Sequence, residues 1–278
     1  MFRRKDRIEI KTPAQIEVMR AAGLVVGRTL EAMRQAVAPG ITTGALDVIA
    51  RDCLATHGAT SSFLGYYGYP AVICASVNDE IVHGIPGDRV LRDGDQISID
   101  FGAIIDGWNG DAAITVSVGS VAPELEELSR VTEAAMWAGL SAALVGGVLN
   151  DIGTAVEASI RSAPAGQTYG IVQEYVGHGI GSKMHMEPNV PNYAVKGKTP
   201  TLVEGMALAI EPMVCAGSAV NRTLDDEWTV VTADGSRACH WEHTVALTSA
   251  GPWVLTALDG GAEYFASVGI PSPAASKN

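Results

Sequence analysis

LRDGDQISID at 91–100 has a counterpart in LVEGMALAIE at 202–211. Leu91 aligns with Leu202, Asp93 with Glu204, Gly94 with Gly205, Ile99 with Ile210 and Asp100 with Glu211. Each stretch sets a carboxylate at the close of a short apolar run, QISIDFG (96–102) and MALAIEPMV (206–214). A charge buried there without a partner is costly. One such strand is ambiguous. Two related strands, each aiming a carboxylate out of an apolar run, point to a duplicated fold that binds cations at its centre.

The flanking segments repeat as well. Thr12-Pro13 opens a helix over 12–37, with Ile16, Met19, Leu24 and Leu30 at roughly helical spacing, and Pro39-Gly40 stops it. A second helix runs from Thr43 to His57 and ends at Gly58. Strands follow around 71–77, 96–104 and 112–118. Ala122-Pro123 opens another helix to about Leu144, stopped by Gly146-Gly147, and Asn150–Ile160 forms a further one with Asn150 or Asp151 as cap. His83-Gly84-Ile85 precedes the first carboxylate strand and His178-Gly179-Ile180 the second, at a longer separation, so the second half carries an insertion. The expected organisation is α+β: one domain over 11–258, in related halves at about 11–120 and 121–258. An N-terminal arm (1–10) and a C-terminal tail (259–278) flank it, with the small, polar end at 268–278 frayed.

The chain has 278 residues, 47% apolar and 18% charged, which favours one large, well-packed α/β unit over a minimal domain. Its net charge of −12 argues against nucleic-acid binding, which calls for a basic face. Cys53, Cys74, Cys215 and Cys239 are scattered and read as reduced thiols of a cytoplasmic protein. The basic start MFRRKDRIEI has no apolar stretch behind it, unlike a secretory signal. No apolar run approaches the ~20 residues of a membrane helix, so a soluble protein with no membrane partner is expected.

Asp100 and Asp111 flank the turn sequence DGWNG (106–110), so a hairpin would bring them opposite or nearly opposite. Two bare carboxylates that close repel, and one stays protonated unless a cation intervenes. His178 lies in VGHGIG (176–181), whose glycines allow unusual backbone angles and close approach of a ligand. The following KMHMEPNVP, with two prolines and no helical pattern, weakens a dinucleotide-loop reading. His185 follows in MHMEP. Glu242 lies in CHWEHTVALT (239–248), where Trp241 and His243 leave its face undecided. Two Asp, two Glu and a neutral His suit Mn, Fe, Co or Zn. Four carboxylates match the charge of two divalent ions, which at about 3.5–4 Å apart can clamp both sides of a hydrolytic transition state.

Together, SVNDEIVHGIPG (76–87), ISIDFG (97–102) with Asp111, GHGIGSKMHMEP (177–188), AIEPM (209–213) and WEHTVALT (241–248) resemble the type I methionine aminopeptidases. The resemblance runs from about residue 10 to about residue 255. It implies the pita-bread fold, two pseudo-symmetric α+β halves around a central curved antiparallel sheet, with two divalent ions (Mn, Co, Fe or Zn) between them. It implies that Asp100 caps one ion and that His178 and Glu211 cap the other. Asp111 and Glu242 would bridge both. Glu211 would also shuttle the proton, His185 would stabilise the tetrahedral intermediate and His83 would contact the substrate backbone or leaving nitrogen. The methionine pocket would use Tyr66, Tyr69, Cys74 and Trp228, with Phe63, Met184 and Met213 near its walls. His57, His240 and His243 match no such position and read as structural or exposed. Trp241, where Tyr or Phe is expected, and Met184, at a place often aromatic, could reshape the substrate site.

The implied reaction is removal of the initiator methionine from nascent chains, at the ribosome, with a small second residue preferred and the enzyme a cytoplasmic monomer. Prolidase and aminopeptidase P share the ligand set but carry a substantial extra N-terminal domain, whereas this catalytic unit starts almost at once. A type II methionine aminopeptidase would carry a helical insertion that is not seen. A non-catalytic binding protein on the same fold would typically have lost several ligands, and all five are present here.

Overall fold

The computed structural model describes residues 8–276. Helix α1 (Pro13–Ala36) starts where its capping chemistry dictates. The Thr12 hydroxyl accepts from the Gln15 N–H, and the Gln15 side chain accepts from the Thr12 N–H. Helix α2 (Thr43–His57) is capped by Thr42 and ends on Gly58 in the left-handed conformation. Helices α3 (Pro123–Ala142) and α4 (Leu149–Ser162) follow in the second half. The α4 cap differs from expectation: Val148 holds the cap position, and the Asp151 carboxylate turns back to accept its N–H at 2.8 Å.

The duplication is written in the backbone hydrogen bonds. Gly40 donates to the Leu91 carbonyl, Leu91 to Ile41 and Thr43 to Arg89; in the second half Gly146 donates to Leu202, Leu202 to Gly147 and Leu149 to Pro200. Gly94 and Gly205 make the same left-handed turn, at φ 88° and 85°, and donate to the carbonyls of Val118 and Leu247. A residue with a Cβ is strained there, so the shared Gly of the two repeats has a steric cause.

A nine-stranded sheet joins the halves. Its spatial order is Thr60–Ser61, Gln96–Ile105, Trp108–Ser117, Glu242–Thr248, Ala207–Ile210, Gly177–Gly179 and Met186–Val190, with Ile73–Val77 and Gly251–Val254 paired off this path. Its pairings are antiparallel, and the halves meet where Glu242 faces Ala113. Period-two alternation then sorts the side chains. Ile97, Ile99, Phe101 and Ala112 pack with α1 and α2 residues such as Val26, Leu30 and Leu46. Leu208, Ile210, Val245 and Leu247 pack with Leu128, Met136, Ile152 and Val156 of α3 and α4. The opposite face carries Asp100, Asp111, Glu242 and Glu211. Helix α1 lies so close to the sheet that a Cβ on Gly110 would stand 2.9 Å from the Gly23 nitrogen.

The C-terminal end packs rather than frays over its described part. Phe265 of α5 (Ala262–Ser267) is fully buried in the second core, and Ala274 is buried beside Trp253. Residues 277–278 lie outside the described residues, as do 1–7 of the arm. The rest of the arm is tied down: Glu9 accepts from the Ser182 N–H and hydroxyl, and Lys11 N–H donates to the Gly205 carbonyl. Among the described residues no helix is long and apolar enough to cross a membrane.

Candidate metal centre and substrate cavity

The carboxylates converge because of register. Asp100 and Glu242 both face Ala113, from opposite sides, and Asp111 faces Gly102, two positions along. Continuing the His243–Ile210 pairing by one residue sets Glu211 against Glu242. His178 faces Ala209 on the next strand. Side chains of one parity therefore share one face and form one cluster. The Thr244 hydroxyl, accepting from the Asp111 N–H and donating to its carbonyl, fixes the middle of the row. Asn192 donates to the Glu211 carbonyl at 3.0 Å.

The glycines around His178 act by size, not by unusual dihedrals. A Cβ on Gly177 would stand 2.3 Å from the Ala209 carbonyl oxygen, and one on Gly179 would stand 2.2 Å from that of Glu187. Neither glycine has a positive φ.

Asp111, Glu242 and His178 are buried, at 3%, 2% and 5% exposure, and Asp100 and Glu211 are partly buried. Asp100 Oδ1, Asp111 Oδ1, Glu242 Oε1 and His240 Nε2 are buried with no hydrogen-bond partner. Burial pushes Asp111 up to about 7. Burial, then repulsion from Asp111 and its neighbours, lifts Asp100, Glu211 and Glu242 well above the carboxylate range. Burial lowers His178 to about 3, with His185 adding to the effect, so its imidazole is neutral. Its Nδ1 sits 3.0 Å from the Gly179 carbonyl, which fixes the proton there and turns the Nε2 lone pair toward Glu211 Oε1, 3.4 Å away. Neutral imidazole, unpartnered carboxylate oxygens and mutual repulsion are the properties of a divalent-cation site. Two triads of donor atoms, Asp111–His178–Glu242 and Glu211–His240–Glu242, each fit within 4.8 Å.

The cluster floors a cavity that opens to solvent. Phe63, Tyr66, Tyr69, Cys74, Val82, Met184 and Trp228 wall it, with His83 and His185 facing in. The Tyr69 hydroxyl is held by the Ile73 and Gly84 carbonyls, and its ring meets Trp228 edge-on. Tyr66 does more than line the wall: its hydroxyl lies 2.8 Å from His185 Nδ1. His83 sits in the left-handed region at φ 63°, unusual for a residue with a side chain, and packs edge-on against Tyr175. Burial lowers His83 to about 4 and also lowers His185.

Several expectations need correction. Met213 does not line the cavity itself but packs with Val82 of its wall and with Ile81, Val172 and Val230. Trp241 points away from the substrate side and donates to Ser129 of α3. His240 is neither exposed nor remote: it lines the cavity, 3.6 Å from Glu211 Oε2. His240 and Glu242 are two residues apart, as strand neighbours on one face must be, and that spacing was the available signal. His57 is exposed at the end of α2, and His243 is bound to Thr256.

The model of metallopeptidase family M24 matches residues 17–249. Methionine aminopeptidase 1 of Mycobacterium tuberculosis is 51% identical over 249 residues, covering 88% of this chain and 94% of that protein. The methionine aminopeptidase of Clostridium acetobutylicum is 47% identical over 250 residues, covering 90% and 98%. The crystal structure of the Thermotoga maritima methionine aminopeptidase superposes with a TM-score of 0.87 at 37% identity, covering 90% of this chain and all of that one. Prolidase from Pyrococcus furiosus, at TM-score 0.71 and 22% identity over 89% of this chain and 65% of its own, shares the fold alone.

Proposed function

The chain belongs to metallopeptidase family M24, in its type I methionine aminopeptidase branch, and we propose how the residues of its cavity carry out that reaction. The fold is the pita-bread arrangement, and the reaction is metal-dependent removal of the N-terminal methionine from nascent proteins. The observation that carries the site reading is the convergence of four carboxylates, Asp111 and Glu242 buried and Asp100 and Glu211 partly so, and a neutral imidazole at the floor of an aromatic-walled cavity.

In this reading Asp100, Asp111, His178, Glu211 and Glu242 would hold two divalent ions, Asp100 toward one, His178 and Glu211 toward the second, with Asp111 and Glu242 placed between them. Mn, Co, Fe and Zn suit these donors. When bound, such ions polarise the scissile carbonyl and lower the pKa of water from 15.7 to about 7. Glu211 takes the proton from the attacking water and returns it to the leaving nitrogen. With Tyr66 donating to Nδ1, His185 keeps its proton on Nε2 and offers it to the carbonyl oxygen as charge develops there. His83 hydrogen-bonds the substrate backbone or leaving nitrogen. Tyr66, Tyr69, Cys74, Trp228, Phe63 and Met184 receive the thioether, for which a sulfur- and aromatic-lined wall is suited. A small second residue is preferred. The nascent chain offers its N-terminus at the ribosome, so we place the enzyme there, in the cytoplasm, as a monomer.

Protein stripped with a chelator and resupplied with Mn, Co, Fe or Zn tests this. Metal-restored release of methionine from Met-Ala-Ser, with Gly-Pro and Ala-Pro-Ala left intact, is expected. Cleavage of the proline peptides would move the chain to the prolidase branch. Metal uptake without any cleavage would make it a binding protein.

A further inference from the structure

His240 is a buried, site-facing group to which the five-ligand reading gives no role. Its Nε2 has no hydrogen-bond partner. The residue is anchored: its N–H donates to Ser98 Oγ and Thr115 Oγ1, both at 3.2 Å, and its carbonyl accepts from the Thr115 hydroxyl at 2.8 Å. Its strand, Ala238–His240, pairs with Met213–Cys215, so the backbone cannot withdraw the ring from the cluster.

Nε2 lies 3.6 Å from Glu211 Oε2, too long for a hydrogen bond. Two donors on one ion, each bonded at about 2.0–2.2 Å with a tetrahedral angle between them, stand roughly 3.4 Å apart. His178 Nε2 stands in the same relation to the other oxygen of Glu211, at 3.4 Å. Glu211 thus turns one oxygen to each imidazole. The His240, Glu211 and Glu242 donor atoms lie within 4.8 Å of one another.

We infer that His240 is an additional nitrogen donor to the metal centre, binding through Nε2 an ion that Glu211 and Glu242 also serve. The inference rests on the metal-centre reading above and adds a sixth ligand to it. A second imidazole makes the site richer in nitrogen, which favours Zn over Mn, an ion suited to carboxylate and carbonyl oxygens.

Calorimetric titration of metal-free wild type, H240Q and H240A with Zn and with Mn tests this. Glutamine reaches about as far as imidazole Nε2 and offers an amide oxygen, so H240Q keeps a polar group in place and exchanges nitrogen for oxygen. Zn affinity should fall by ~10-fold or more in both variants, while H240Q keeps Mn affinity within about three-fold. The visible spectrum of the Co-loaded protein should shift between wild type and H240Q. Unchanged Zn affinity, an equal loss for Zn and Mn in H240Q, or superimposable Co spectra would overturn the donor role and leave the five-ligand centre standing. A wild type that takes up no metal would overturn both.

Discussion

Asp100 stands diagonal to Asp111 across their hairpin, with Gly102 facing Asp111 and Ala113 facing Asp100. The offset lets the two side chains converge from neighbouring rows, while Glu242 enters from the other side of Ala113. Asp111 is thus the carboxylate between Asp100 and the Glu242–Glu211 pair, the position from which one group can serve two ions. Asp111→Asn keeps the shape and removes the charge. Methionine release should fall at least ~100-fold, and metal uptake in a chelator-buffered titration should weaken with it. Activity near wild type would discard the bridging role.

The Tyr66 hydroxyl sits 2.8 Å from His185 Nδ1, and the proposed mechanism has it donate there, which leaves the imidazole proton on Nε2. Loss of a donor aimed at a developing oxyanion costs ~100–1,000-fold in kcat. His185→Ala should lose that much with its metal content intact, as measured by elemental analysis. Tyr66→Phe, which leaves the ring but frees its tautomer, should lose about ten-fold in kcat. Should Tyr66→Phe raise KM alone, the tyrosine is a pocket wall and nothing more.

Much of this was readable along the chain because the repeats impose it. The boundaries of α1 and α2 follow from Thr12-Pro13, Pro39-Gly40 and Gly58, and the related frames around Asp100 and Glu211 reported a duplication that the paired backbone clasps display. What escaped depends on which face a residue takes where a strand is interrupted. Trp241 separates Ala238–His240 from Glu242–Thr248, and it turns to Ser129 while His240 and Glu242 turn to the cavity. Met213 pairs with His240 on the neighbouring strand and shares its face, yet packs with Val82 and Val230 rather than lining the cavity. No local pattern distinguishes those two positions, because both are buried. The tail misled for a related reason: the small, polar residues of 268–278 hide the anchor provided by Ala274, buried beside Trp253.

Gly177 tests how much of the centre is held by backbone packing. Its neighbour His178 is placed by pairing with Ala209, and the strands approach so closely that a Cβ would meet the Ala209 carbonyl oxygen at 2.3 Å. That atom is main chain and cannot turn aside. Gly177→Ala should destabilise the fold by about 1–3 kcal/mol, the usual range for overpacking. It should also weaken metal binding, because His178 moves with its strand. A melting temperature and metal affinity equal to wild type would show that the sheet accommodates the methyl group and that His178 is positioned by other contacts.

Metal binding should be linked to protons in a definite direction. Burial lifts Asp111 from 3.8 to about 7, and burial with mutual repulsion lifts Asp100, Glu211 and Glu242 well above their ordinary values. The folded, metal-free protein therefore holds protons near neutrality that the unfolded chain has lost. For Asp111 the stabilising contribution is full below 3.8 and is lost as pH rises through about 7. Divalent ions bind the ionised carboxylates and displace those protons. His178 contributes none near neutrality, since burial has already brought it down to about 3 and left it neutral. Thermal stabilisation by added metal should therefore grow between about pH 5.5 and about pH 8. Calorimetry near about pH 6.5, in buffers of different ionisation enthalpy, should report release of at least one proton for the two ions together. A binding enthalpy independent of buffer, or a stabilisation that shrinks as pH rises, would show that the carboxylates are already ionised in the metal-free fold.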